Sequence, residues 1–214
     1  MNKMKQKIIL IGGGGHCKSC IDVIEQEGSY EIAGIVDVKE KVGDKILGYP
    51  IIGTDKDIEQ ISKQYDNFLI TIGQLKTSAI RTRLFTQLTQ LNKNIPSIIS
   101  PSAYVSKHAK IGAGTIVMHH AIVNASAIIG NNCIVNTNSL IEHDVTMGNH
   151  NHVSTFAVVN GGVIIGNDCL IGSGTTIIQS VSIGNNVTLG AGAVVSKNIT
   201  EQGVYIGVPA KKKL

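Results

Sequence analysis

The segment IGNDCLIGSGTTI, residues 165–177, decides the fold, because an aliphatic residue returns in it at every sixth position. Glycine often follows this residue, and a small residue usually stands at the fifth position. An α-helix repeats its apolar face about every 3.6 residues and a half-buried strand about every two, so neither explains a period of six. The same phase runs unbroken from Ile99 through Val105, Ile111, Val117, Val123, Ile129, Val135, Ile141, Met147, Val153, Val159, Ile165, Ile171, Ile177, Ile183 and Leu189 to Val195.

A period of six is typical of a coil built from short strands. In each hexad the aliphatic residue points inward, the small residue fits beside the corner, and glycine or asparagine takes the turn, where a positive φ is often needed. Three hexads close one triangular coil, and stacked coils form a parallel β-helix. The repeat therefore predicts a β-helix of about five to six coils.

Charged side chains are distributed unevenly along the chain. Residues 1–98 hold 13 Lys and Arg and 11 Asp and Glu, whereas residues 99–214 hold only 6 and 4. Such a step in composition marks two domains. We therefore predict a first domain over residues 1–96 and the β-helix over residues 97–214, with the step lying near Pro96 and Pro101.

The overall composition narrows the classes of function. The 214 residues carry a formal net charge of +4 and 4% aromatic residues, without a basic stripe interleaved with aromatics, so a nucleic-acid partner is not favoured. No apolar stretch approaches the roughly 18 residues that a membrane span requires. The short apolar run at residues 8–11 meets glycines at once and does not resemble a signal peptide. We expect a cytoplasmic protein.

The first domain shows the alternation of strands and helices that predicts a small Rossmann-like α/β unit. Apolar runs predict strands over residues 7–11, 31–37 and 68–73 and helices over residues 17–26 and 76–91. The second helix is expected to bury one side, made of Ile80, Leu84, Leu88 and Leu91. The segment GYPIIG, residues 48–53, predicts a turn-rich crossing.

Four glycines, residues 12–15, follow the first strand directly and precede the first helix. Such a loop lets backbone N–H groups approach a phosphate at the helix N-terminus, and Asp37 at the end of the second strand is placed to bind a ribose hydroxyl. Cys17 stands where a dinucleotide fingerprint has its third glycine, so a mononucleotide fits the short domain better. A tight structural turn without a ligand is the alternative.

Acidic residues are rare in the β-helix, and two of them flank one histidine. Between Ile99 and Val195 the acids are Glu142, Asp144 and Asp168, and the first two enclose His143. A carboxylate beside an imidazole fixes its tautomer and raises its basicity, which suits the general base of an acyl transfer. An exposed turn that merely carries three polar residues is the alternative.

Four motifs together resemble one subfamily of hexapeptide-repeat acyltransferases over nearly the whole chain. They are GGGGH at residues 12–16, IEHD at residues 141–144, HNHVS at residues 150–154 and GVPAK at residues 207–211. The subfamily includes the N-acetyltransferases of UDP-4-amino sugars in bacillosamine synthesis, the GDP-perosamine N-acetyltransferases and the sialic-acid O-acetyltransferases. The resemblance implies a left-handed β-helix, a homotrimer with active sites between subunits, and acetyl-CoA as co-substrate without a metal.

The resemblance also implies roles for individual residues. His143 is then the general base, Asp144 raises its basicity, and His152 contacts the acetyl end of acetyl-CoA. The pantetheine groove is lined by Ser173 and Ala191, and Lys211 lies near the adenine end. The nucleotide phosphates are held by Gly14, Gly15 and His16, and the nucleoside by Asp37 and Gly73. Val38 departs from a second acid that some members carry, so the nucleobase stays open.

The leading hypothesis is an N-acetyltransferase that acts on the 4-amino group of a nucleotide-linked, preferably UDP-linked, 4-amino-4,6-dideoxy sugar in bacterial glycan precursor synthesis. A sialic-acid O-acetyltransferase, a GDP-perosamine-type N-acetyltransferase and a non-catalytic nucleotide-binding scaffold are the alternatives, and a dehydrogenase is a weaker one. The C-x-x-C of Cys17 and Cys20 also suits small residues at a helix start, so we do not favour redox chemistry. The paired histidines, His119 with His120 and His150 with His152, lack a third ligand at coil spacing, so a metal site is not favoured either.

Overall fold

The structure, a computed structural model, describes residues 5–74 and 77–213. Up to residue 95, the elements are β1 (Gln6–Ile11), α1 (Gly15–Glu27), β2 (Tyr30–Val36), β3 (Lys45–Ile46), β4 (Tyr49–Gly53), α2 (Ile58–Ser62), β5 (Asn67–Ile70) and α3 (Ala79–Gln90). The strands form a sheet in the order β3-β4-β2-β1-β5, which is parallel except for the pairing of β3 with β4. No described helix is both long and apolar enough to cross a lipid bilayer.

The central strand β1 is buried on both sides, as a parallel sheet covered on two faces requires. Ile8 and Leu10 share a core with α1 and with the second domain. Ile9 and Ile11 point the other way and pack with residues of α2 and α3. The predicted small α/β unit is therefore confirmed, and the second domain covers part of one face of its sheet.

Three local predictions for the first domain differ from the structure. The segment Tyr49–Gly53 is a strand, β4, rather than a turn-rich crossing, because it pairs with β2. The predicted start of the second helix at Lys76 lies outside the described residues, and α3 begins at Ala79. Ile80 was expected in the core but is 51% exposed, whereas Arg81 is buried because its guanidinium reaches the second domain.

The second domain is a left-handed parallel β-helix, as predicted. Between Ile98 and Val195, each short strand pairs in parallel with the strand three hexads further on, as Ile122 does with Leu140 and Ile134 with His152. At the last coil the spacing shortens, since Val187 pairs with Gly203, and the final strand pairs antiparallel. Three hexads thus make one coil, and one coil contributes one strand to each of three faces. Sequence position therefore maps directly onto position along the coil axis.

The strands of the β-helix lie in three columns. The first face consists of β6 (Ile98–Ile99), β9 (Ile116–Val117), β12 (Ile134–Val135), β15 (His152–Val153), β18 (Leu170–Ile171), β21 (Val187–Leu189), β23 (Gly203–Ile206) and β24 (Lys211–Lys212). The second face consists of β7 (Tyr104–Val105), β10 (Ile122–Val123), β13 (Leu140–Ile141), β16 (Val158–Val159), β19 (Thr176–Ile177) and β22 (Val194–Val195). The third face consists of β8 (Lys110–Ile111), β11 (Ile128–Ile129), β14 (Thr146–Met147), β17 (Ile164–Ile165) and β20 (Ser182–Ile183).

The hexad positions predicted to point inward do form the core. From Val117 to Val195 every one of them is buried, and Ile99, Val105 and Ile111 at the first coil are partly buried against the same cluster. The small residues of the fifth position are buried as well, including Thr115, Cys133 and Cys169. The narrow triangular interior explains why aliphatic residues take these positions and rings do not.

Glycine serves two purposes in the repeat. Gly114, Gly162, Gly174 and Gly192 take the left-handed position of the turn, as expected. The glycines that directly follow the aliphatic residue do not adopt a positive φ; at Gly130, a methyl group would lie 2.5 Å from the carbonyl carbon and oxygen of Gly148 in the next coil. These glycines are needed because adjacent coils approach closely there. The left-handed residue stands two positions later, and is often not glycine, as at Asn132 with φ of 53° and Asp144 with φ of 61°.

A ladder of asparagines stabilises the corner between the third and the first face. The side-chain Oδ1 of Asn149 accepts a hydrogen bond from the backbone N–H of Asn131 at 2.8 Å. Asn167 does the same for Asn149, and Asn185 does so for Asn167, both at 2.7 Å. Each side chain satisfies a backbone donor one coil below, which buried or half-buried N–H groups require. These residues recur in the sequence at a regular spacing of one coil.

The two domains are joined through the first face of the β-helix. The outward residues Ile98, Ile116 and Ile134 are buried in one cluster with residues of α1 and β1. A polar contact stands beside this cluster: His119 Nε2 lies 2.8 Å from Asp22 Oδ2 of α1, and His119 Nδ1 accepts from the Ser100 hydroxyl at 2.7 Å. His119 therefore links the two domains.

Arg81 is the deepest polar link between the domains, with 1% of its surface exposed. One terminal nitrogen donates to the carbonyl oxygens of Ile70 and Ile72, and the other donates to the backbone oxygen and Oδ1 of Asn132 in the β-helix. Burial lowers the pKa of the guanidinium to about 10, which still leaves it charged at neutral pH. Arg81 therefore fixes the loop after β5 against a corner of the coil.

The close approach at Gly130 gives a stability prediction. We expect Gly130→Ala to lower the free energy of unfolding by about 1–3 kcal/mol, because the added methyl group meets backbone atoms that cannot move aside independently. The control is Gly15→Ala, the same change where no atom lies within 4 Å, and it should not lower stability. Urea denaturation followed by circular dichroism measures both, and a Gly130→Ala variant as stable as the parent would contradict the explanation.

Candidate active site

His143 and Asp144 lie at the corner between the second and the third face. His143 Nδ1 is 2.8 Å from Asp144 Oδ2, and 65% of each side chain is exposed. A carboxylate accepts hydrogen bonds, so Nδ1 carries the proton of the neutral ring and Nε2 carries the lone pair. The left-handed backbone of Asp144 turns its side chain back onto the ring. The pair presents a basic nitrogen to solvent.

The carboxylates around His143 raise its pKa. The largest cause is the hydrogen bond that Nδ1 donates to Asp144, and the charges of Asp144 and Glu142 act in the same direction. Glu142 is held in place because its Oε2 accepts from Asn124 Nδ2 at 2.9 Å and from the backbone N–H of His143 at 3.3 Å. A more basic imidazole is a stronger proton acceptor, and the arrangement suits a general base.

His152 lies in a different environment, between the two domains, with 7% of its surface exposed. Its Nδ1 donates to the carbonyl oxygen of Gln74 at 3.1 Å, and Nε2 accepts from Asn136 Nδ2 at 3.1 Å. Desolvation is the main reason why the pKa of His152 falls to about 4. His152 is therefore a neutral residue of fixed tautomer. Asn136, which contacts its Nε2, is half-buried.

His16 is the second neutral histidine of this region. Burial is the main cause that lowers its pKa to about 3, and the charge of Arg81 adds to the effect. Its ring centroid lies 6.5 Å from that of His152. Within the described residues, His16 Nε2 and Gln74 Oε1 are buried without a hydrogen-bond partner.

The glycine loop, Gly12 to Gly15, has two closed and two open positions. A methyl group at Gly12 would clash with Ile72, and one at Gly13 would lie 2.6 Å from Asp37 Oδ2. At Gly14 and Gly15 no atom lies within 4 Å of such a methyl group, and both residues are exposed at the N-terminus of α1. Free space over a helix N-terminus fits a phosphate group.

The other predicted nucleotide contacts meet the glycine loop at the carboxyl edge of the sheet. Asp37 follows β2, lies against Gly13 and pairs with Lys41 Nζ at 2.8 Å. Gly73 follows β5, and a methyl group there would lie 3.4 Å from Cβ of His16. The structure thus brings together Gly14, Gly15, His16, Asp37 and Gly73.

Ser173 and Ala191 lie one above the other at the corner between the first and the second face. The backbone N–H of Gly192 donates to the carbonyl oxygen of Ser173 at 2.8 Å, which fixes the two coils together. Thr137 and Thr155 precede them in the same column, so four short side chains follow the corner over three coil spacings, about 14 Å. Lys211 is exposed beyond this column, in β24.

The candidate residues therefore form three groups, and within a single chain these groups lie apart from one another. The second face of the β-helix separates His143 and Asp144 from the column of Ser173 and Ala191. The nucleotide contacts belong to the first domain, and His152 and Asn136 lie where that domain meets the first face.

The cysteines near the glycine loop are buried, and the histidines outside these groups are not clustered with further metal-ligating side chains in the described part of the chain. Burial raises the pKa of Cys17 to about 11 and raises that of Cys20 as well, which disfavours the thiolate that redox chemistry needs. Residues 5–74 and 77–213 contain no cluster of three or more His, Cys, Asp or Glu side chains that is arranged to hold a metal ion.

Asn136, Gln74 and Arg81 were missed by the sequence analysis, although they surround His152 and the glycine loop. No motif marks them, because their contacts cross between domains and have no fixed spacing. Gly161 was missed too, although a signal existed: it stands three hexads after His143, directly one coil further along.

The two domains match two protein families. Residues 7–88 match the PglD N-terminal domain, and residues 144–179 and 162–197 match the bacterial transferase hexapeptide family of six repeats. The UDP-N-acetylbacillosamine N-acetyltransferase of Bacillus subtilis is 30% identical over 115 residues, which are 53% of this chain and 51% of that protein. The chain thus spans about half the length of this curated relative.

Solved structures resemble the whole chain. A variant of perosamine N-acetyltransferase from Caulobacter crescentus, in complex with CoA and GDP-perosamine, superposes with a TM-score of 0.91 and 30% identity, covering 99% of this chain and 98% of that one. The acetyltransferase domain of PglB from Neisseria gonorrhoeae, in complex with acetyl coenzyme A, gives a TM-score of 0.89 and 31% identity over 98% of this chain and 100% of that one.

The raised pKa of His143 can be tested directly. We expect His143 to titrate above its ordinary value of about 6.5, and Asp144→Asn to bring its pKa back towards that value, because the hydrogen bond to the carboxylate is the largest cause of the shift. Glu142→Gln should change the pKa less. Nuclear magnetic resonance of the ring Cε1 proton against pH measures all three, and an unchanged titration in Asp144→Asn would show that the pair does not form.

The buried histidines predict acid sensitivity. His16 and His152 have folded-state pKa values near 3 and 4, below the ordinary value near 6.5, so the unfolded chain binds their protons first as the pH falls. Below pH 6.5, the free energy of unfolding should fall by up to about 1.4 kcal/mol per pH unit for each of them. Urea denaturation at pH 7.0 and 5.5 tests this, and His152→Asn should show a shallower slope. A slope equal to that of the parent would contradict the neutral state of His152.

Proposed function

The chain belongs to the hexapeptide-repeat acetyltransferases of nucleotide-linked amino sugars, and from that membership we propose that it acetylates the 4-amino group of a UDP-linked 4-amino-4,6-dideoxy sugar. Acetyl-CoA is the acetyl donor, and the product serves bacterial glycan precursor synthesis. The single observation that carries the assignment is the His143–Asp144 pair, which holds a basic Nε2 open at a corner of the coil. A non-catalytic scaffold has no need of such a pair.

His143 is the general base in this proposal. The sugar amine attacks the thioester carbon, a carbon–nitrogen bond forms, and Nε2 takes the proton that the amine gives up. The carbon–sulfur bond then breaks, and the CoA thiolate leaves and takes up a proton. Asp144 stabilises the imidazolium that exists between these steps, as a carboxylate on Nδ1 does in other base–orienter pairs. Such base catalysis is worth about 10²–10⁴-fold.

The nucleotide sugar binds to the first domain, residues 1–96. The exposed N-terminus of α1 at Gly14 and Gly15 takes the phosphates, with His16 beside them, and Asp37 and Gly73 contact the nucleoside. The open space over the two glycines supports this placement of the phosphates, since a phosphate group can approach the backbone N–H groups closely there. Asp37 already pairs with Lys41, so the nucleoside would meet a carboxylate whose direction is fixed.

Acetyl-CoA binds to the second domain, residues 97–214. The column of short side chains that ends at Ser173 and Ala191 offers room for an extended pantetheine chain, and Lys211 offers a positive charge beyond it. His152 has its Nε2 engaged by Asn136. Contact of His152 with the acetyl end therefore requires the Asn136 amide to turn away or to take part in the contact.

A homotrimer completes the site. His143 and the Ser173–Ala191 column lie on different corners of one coil, so a base on one subunit and a coenzyme groove on the next would meet where two subunits abut. The exposure of His143 agrees with this arrangement, because general bases act best in sites from which water is excluded. We place the enzyme in the cytoplasm, where acetyl-CoA is available.

Release of free CoA with a panel of acceptors tests the proposed reaction. We expect release with UDP-4-amino-4,6-dideoxy sugars, and a loss of about 10²–10⁴-fold in kcat for His143→Ala. Acetyl-CoA binding, measured by calorimetry, should persist in this variant. The control is His108→Ala, which removes an exposed histidine of the first coil and should leave kcat unchanged.

Other outcomes of the same panel point elsewhere. Release only with GDP-linked sugars would show that the substrate carries GDP rather than UDP. Release only with sialic acids would show that the enzyme is an O-acetyltransferase. No release with any acceptor would favour a non-catalytic scaffold. Full activity of His143→Ala would remove His143 from the mechanism.

A further inference from the structure

Gly161 lies one coil beyond His143, directly against its ring. A methyl group on Gly161 would lie 2.7 Å from Cε1, 2.8 Å from Nε2 and 3.3 Å from Nδ1 of His143. These are the three nearest atoms to the position of that methyl group, so the imidazole occupies the space that any side chain at residue 161 would take. Carbon atoms in ordinary contact stand about 3.5–4.0 Å apart.

The backbone does not explain a glycine at this position. Gly161 does not have a positive φ, unlike its neighbour Gly162 with φ of +67°. It is not one of the glycines that directly follow the inward aliphatic residue, where adjacent coils approach closely. Equivalent positions in other coils, Ala125 and Gln179, carry side chains. What distinguishes residue 161 is the histidine one coil before it.

We propose that Gly161 is a positioning residue for His143: its bare Cα is the surface on which the imidazole rests, and this contact keeps Nδ1 on Asp144 and leaves Nε2 open to the acceptor amine. The proposal rests on the role of His143 given above. Two contacts then set the orientation of the base: the hydrogen bond to Asp144 within the corner and the steric contact with Gly161 in the next coil.

The exposure of the ring decides what a side chain at residue 161 would do. Because 65% of His143 is exposed, the ring can swing into solvent when a methyl group is added, and the coil itself need not deform. Gly161→Ala should therefore fold normally but lose the hydrogen bond between Nδ1 and Asp144 Oδ2. The charged groups that face the ring are Asp144 and Glu142, so a displaced ring also leaves the carboxylates that hold its proton.

Three variants test the proposal: Gly161→Ala, Gly162→Ala and His143→Ala. We expect Gly161→Ala to lower kcat by about 10²-fold, which is the cost of misplacing a catalytic group by about 1 Å, with little change in KM for acetyl-CoA. The ring proton of His143 should titrate at a lower pH than in the parent. Gly162→Ala, which strains the backbone but meets only Ser180 Oγ at 3.5 Å, should lower the melting temperature and leave kcat and the titration unchanged.

The double variant separates an action through His143 from an independent one. Gly161→Ala should have no further effect in the His143→Ala background, and a further loss there would overturn the proposal. A parent-like titration of His143 in Gly161→Ala would overturn it as well. The titration needs no substrate, so it tests the contact with Gly161 even if no acceptor is turned over and the proposed function fails.

Discussion

The parallel stacking of coils at a spacing of three hexads, which holds from Ile98 to Val195, is the constraint on which the rest of the molecule depends. Because each residue lies directly over the one three hexads earlier, a side chain has a fixed neighbour above and below. The asparagine ladder, the close approach at Gly130 and the contact of His143 with Gly161 are consequences of this register. An insertion of one residue would turn every later side chain to the wrong side of its strand and break all these columns.

Three histidines show how the same side chain acquires different properties from its position on this frame. His143 stands outside, beside carboxylates, and becomes more basic. His16 and His152 lie where the first domain covers the first face, near the buried charge of Arg81, and stay neutral. A buried neutral imidazole can hold one tautomer and orient a partner, whereas a solvent-accessible one can exchange a proton during each turnover. The difference between the basic and the neutral histidines follows from which face of the β-helix the first domain covers.

How much the sequence predicts depends on whether a contact is periodic. The hexad phase predicts the inward residues of the coil, and the acids beside His143 predict the carboxylate that contacts its Nδ1, because both depend on neighbours at fixed spacing. Ile80 was expected in the core and Arg81 was not, since the choice between them depends on Asn132, which lies far along the chain in the other domain. The contact of Asn136 with His152 was missed for the same reason. The purpose of the glycines after the aliphatic residue was mistaken because composition does not distinguish close approach from a positive φ.

The proposed general base lies at an edge of the β-helix, which raises a physical difficulty that the fold resolves only in part. Exposure would let a substrate reach His143, but water also competes there for the hydrogen bonds and screens the charge of Asp144. Within the chain, the ring is restrained by Asp144 on one side and by the bare backbone of Gly161 on another, which fixes its direction without burying it. Under the proposed function, exclusion of water comes from the substrates and from a neighbouring subunit, so that the site would be complete only when both substrates are bound.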